Sequence, residues 1–135
     1  MIKLTLVIEN KDIYIDRYAC LHAIKNTESL VLNKTTEEGL NLLKNFIDIV
    51  SDDIIITSPG ADLYKDTNDF TNKEEILKLL ISLTPYQTMQ LLHAVSELGY
   101  INLIRLVSLK VVTDFKPNGT YKDPDEIIKM YRMLS

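Results

Sequence analysis

The sequence predicts an α+β fold, with a small three-stranded sheet at the N-terminus covered by helices and an α-helical C-terminal half. Three observations carry the prediction. Residues 2–15 alternate β-branched and aromatic residues with polar ones around a short polar break. From residue 73 onwards apolar residues recur at helical spacing, and Thr84-Pro85 and Asp123-Pro124 set Pro at or near helix starts. A chain of 135 residues buries roughly two-thirds of the surface it exposes when unfolded, enough for one core. No repeat or linker divides it, so residues 1–135 read as one domain.

The elements follow in order. Residues 2–8 and 13–15 form a hairpin about the turn Glu9-Asn10-Lys11-Asp12. Leu21 and Ile24 give residues 18–25 the spacing of a short helix, and residues 30–32 are a third strand stopped by Asn33. Thr35 or Thr36 starts a helix with Glu37 and Glu38 in its first turn, favourable to the macrodipole, and Leu40, Leu43, Phe46, Ile47 and Val50 repeat along one side of it. Residues 54–56 suit a short strand broken by Ser58-Pro59-Gly60, and residues 61–72 are a long polar loop. Helices are then expected over residues 73–82, 85–98, 102–115 and 125–134. Leu43, Phe46, Ile47, Leu92, Val95, Leu98, Leu103, Leu106 and Val107 are the expected core.

Composition limits the function. The chain is 46% hydrophobic and 25% charged, an ordinary globular balance, with a formal net charge of −4. A pI near 5.1 leaves no basic field to release counterions from a phosphate backbone, so no direct nucleic-acid partner is expected. Apolar runs are far shorter than the roughly 20 residues of a membrane helix, and the start lacks a signal-peptide layout. A cytoplasmic or nuclear protein without membrane association is expected. One cysteine, Cys20, forms no internal disulfide and fits a reducing compartment. Twelve Lys against three Arg match the coding bias of an A+T-rich viral, protozoan or bacterial genome.

Residues for catalysis are scarce. His93 occupies one position of an amphipathic helix and reads as a packed or surface imidazole rather than a base. His22 lies two residues from Cys20, and helix positions two apart do not face each other, which argues against a Cys/His nucleophile. The acidic stretch from Asp62 to Phe70 has calcium-type oxygen ligands, but Phe70 stands where a third ligand belongs and Thr71 where the turn glycine belongs. It reads as a solvated loop. The Asn33-Lys34-Thr35 and Asn118-Gly119-Thr120 sequons carry nothing in a chain that skips the secretory route. No enzyme activity, metal or cofactor is therefore expected.

The informative feature is apolar. In the helix expected over residues 102–115, Leu103 and Val107 share one side with Leu106 and Leu109 further round, while Ile104, Val111 and Phe115 align with Ser108 on another. The charged residues Arg105, Lys110 and Asp114 interrupt it. Such a helix is either central to the core or shows a second stripe to a partner.

Four stretches resemble the BTB/POZ superfamily, specifically the adaptor that joins F-box proteins to cullin in SCF ubiquitin ligases, a relative of elongin C. IKLTLVIENKDIYID (residues 2–16) resembles its opening hairpin, and LVLNKTTEEGLNLLKNFIDIV (30–50) its third strand and following helix. TPYQTMQLLHAVSELGYINLIRLVSLKVV (84–112) resembles its paired helices, and DPDEIIKMYRML (123–134) the Pro-Glu-Glu-Ile helix that elongin C lacks. The resemblance implies a non-enzymatic adaptor whose F-box-facing side falls on Ile104, Ser108, Val111 and Phe115, with Ile127 on the next helix. The family's cullin-contacting Asn-Tyr pair falls on Ser96 and Glu97, without its aromatic anchor. Residues 23–30 are short for the family's second helix, and the family's last helix and its tryptophan have no counterpart up to Ser135. These departures imply a divergent member. The expected partner is an F-box-like or other amphipathic helix, with or without cullin. The alternative is a BTB-like docking subunit of a larger viral or cellular complex, for instance in transcription, unrelated to ubiquitin.

Overall fold

Alternation in the first strand sets the orientation of the sheet. In β1 (Ile2–Leu6) the side chains of Ile2, Leu4 and Leu6 are buried, and Lys3 and Thr5 point the other way. The computed structural model describes residues 1–51, 67, 68 and 70–114. The strand expected at residues 54–56, most of the acidic loop, the helix expected at 125–134, and the expected partner-binding positions Phe115 and Ile127 lie outside the described residues.

β1 pairs antiparallel with β2 (Lys11–Ile15) and parallel with β3 (Ser29–Leu32), giving the order β2-β1-β3. The hairpin turns earlier than its polar residues suggest. The chain reverses over residues 7–10, where the Asn10 N–H donates to the Val7 carbonyl at 3.2 Å, and Lys11 and Asp12 already belong to β2. Asn10 takes the left-handed conformation, φ 51°, that Asn tolerates better than most residues. On the outer face the Thr5 hydroxyl donates to Asp12 at 2.8 Å and Lys3 pairs with the same carboxylate at 3.7 Å.

The helix expected over residues 18–25 shrinks to one 3₁₀ turn, His22–Ile24. Arg17 helps hold the crossover: its guanidinium donates to the carbonyls of Ile24, Lys25 (2.8 Å) and Thr27 (3.0 Å), acceptors that a helix ending at Lys25 would also leave open.

Four helices follow among the described residues: α1 (Glu37–Lys44), α2 (Lys73–Ser82), α3 (Pro85–Leu98) and α4 (Ile101–Asp114). α2 and α3 match the expected limits. α3 starts with a capping box, Thr84 and Gln87 bonding each other's backbone at 3.1 and 3.0 Å, and ends at Gly99, φ 72°. α1 stops six residues before the expected Val50. Beyond it, turns carry Phe46 and Val50 into the core, and the buried Tyr100 hydroxyl lies within reach of the carbonyls of Phe46 (3.1 Å) and Val50. Asn102 Nδ2 donates to the Ser51 carbonyl at 2.8 Å.

α3 is the organising helix, packed against both α1 and α4. At its crossing with α1 the backbones approach closely at Gly39, where a Cβ would stand 2.5 Å from the Gln90 carbonyl oxygen. The inner face of the sheet, the 3₁₀ turn and all four helices contribute to one buried cluster. Seven of the nine expected core residues are buried in it; Ile47 and Leu92 pack against its edge half-buried. The molecule is α+β, a three-stranded mixed sheet with helices.

Candidate partner-binding site

α4 has no glycine or proline and places an apolar residue at most positions, so its partition between core and solvent decides whether a surplus face exists. At about 100° per residue, the buried positions Leu103, Leu106, Val107, Lys110 and Val111 fill one continuous arc of about 140°. The opposite side carries Ile101, which is 59% exposed, and exposed Ser108, with half-buried Arg105 beyond them. Ser108 spends its hydroxyl on the Ile104 carbonyl one turn back, at 2.7 Å.

The expected stripe therefore divides. Ile104 is half-buried and packs on the edge of the core, and Ser108 is exposed. Val111 departs from the expected outward stripe: it is 6% exposed and adjoins Val107 on the inward arc, although it stands outside the main buried cluster. Lys110, counted from sequence as a polar interruption, lies on the inward arc and is buried as well. Ile101, one position before the helix start expected at Asn102, lies seven residues before Ser108 and so within about 20° of it. The outward face that the described residues offer is Ile101, Ile104 and Ser108, with half-buried Arg105 beside them.

Ser96 and Glu97, where the resemblance sets a cullin contact, differ in their surroundings. Ser96 is exposed. Glu97 reaches across to the loop between β3 and α1: one carboxylate oxygen accepts the Asn33 N–H at 2.7 Å, and the other accepts the Lys34 N–H at 2.7 Å and the Thr35 hydroxyl at 3.0 Å. The next residue, Thr36, caps α1 by accepting from the Gly39 N–H at 3.1 Å and donates to Gln90 Oε1 at 2.7 Å. Residues 33–36 are thus fastened to one side of α3 by Gln90 and Glu97. At the same end of α1, Glu9 from the hairpin turn accepts the Glu37 N–H, and Lys11 pairs with the Glu37 carboxylate. That pair raises the Lys11 pKa and lowers that of Glu37, chiefly through their shared hydrogen bond, in full contact with solvent.

His93 is half-buried on α3, and burial, reinforced by Lys34 and opposed by Glu97, holds its pKa below the usual imidazole value. Among the described residues no group of three or more His, Cys, Asp and Glu is placed to hold a metal ion, and no helix is long and apolar enough to cross a membrane. No family model, curated protein or solved structure matches the chain.

Proposed function

We propose that the chain is a non-enzymatic adaptor of BTB/POZ type, related to the subunit that links F-box proteins to cullin, and that it holds an amphipathic helix against the outward face of α4. The observation that carries this reading is the exposed isoleucine, Ile101, continuous with half-buried Ile104 on a helix whose inward arc already fills the core. The order of elements supports it: a hairpin, a crossover and a third strand, then helices, follow in the order the resemblance implies. Ile101, Ile104 and Ser108 form the near part of the docking face, and Phe115 and Ile127 are its proposed continuation.

Two features count against a cullin contact. Glu97 is committed to the loop at residues 33–35, and Ser96 offers no aromatic anchor. That favours the second reading, a docking subunit of an assembly unrelated to ubiquitin. Co-expression with an F-box domain, alone and together with a cullin N-terminal domain, followed by size-exclusion chromatography, separates the two. A binary complex with the F-box domain supports the adaptor, and addition of cullin to that complex supports the ligase role. Elution of the chain apart from the F-box domain overturns the adaptor reading.

A further inference from the structure

We draw no further inference here: the strongest candidate, the recess of about 310 Å³ between the β2–β3 crossover and the end of α1 that is lined by Tyr18, Cys20, Lys25, Ile47, Val50 and Ser51, opens where the described residues stop at Ser51, and nothing in the structure shows what covers it.

Discussion

Gly39 and Glu97 hold the same helix, α3, by opposite means. At Gly39 the constraint is room. Gly39→Ala sets a methyl group 2.5 Å from a backbone oxygen that cannot rotate away, so α1 must move off α3. The expected loss is about 1–3 kcal/mol, the usual range for overpacking, read as a lower urea midpoint; an unchanged midpoint would show that the two helices are not in close contact. At Glu97 the constraint is hydrogen bonding. Glu97→Ala removes the acceptor of three donors, and since water reaches Asn33 and Lys34 the cost should be about 1 kcal/mol. Glu97→Gln, which keeps one acceptor oxygen, should cost less.

His93 gives the residue scale a pH dependence. Its folded pKa is lowered, so below the ordinary value of 6.5 the unfolded chain takes up a proton first. The stability linked to this group is complete above that value and is lost as pH falls from 6.5 through the folded pKa. Urea midpoints between pH 8 and 5 should show this decline, and His93→Gln should flatten it. An equal slope in the variant would place the dependence on other groups.

Among the elements, what the sequence made legible was whatever is decided locally. α2 and α3 begin and end where periodicity and Pro85 place them, because propensity and core face agree, joined in α3 by its capping box. The errors lie where distant residues decide. α1 ends at Lys44 although apolar spacing runs on to Val50, and Tyr100 and Asn102, 50 to 54 positions from their partners, hold the turns that follow. Around the 3₁₀ turn Arg17 takes up the carbonyls of the crossover, a role no local pattern announces. On α4, periodicity disclosed the excess of apolar residues and left open how wide the buried arc would be. It missed Val111's inward position and Ile101's outward one together. A pair of variants tests the partition. Val111→Asp buries a carboxylate without a partner and should unfold the domain by circular dichroism. Ile101→Asp with Ser108→Lys should leave the melting curve close to wild type, since both positions are exposed and Asp suits the first turn of a helix. A folded Val111→Asp protein would return that residue to the outward face.

For the whole molecule, one cluster joins the sheet to every described helix, so the outward face of α4 is backed by the same core that holds the β2-β1-β3 sheet. A rigid backing is what a helix-in-groove contact needs, because little ordering entropy is then lost by the receptor on binding. The most direct test is calorimetric titration of the purified chain with an isolated F-box domain, wild type beside the Ile101→Asp, Ser108→Lys double variant. Saturable binding by the wild type, weakened about a hundredfold in a variant of unchanged fold, is the predicted result, the size expected for losing one hot-spot contact of about 2–3 kcal/mol. Equal binding by both proteins, or none by the wild type, would contradict the assignment of this face.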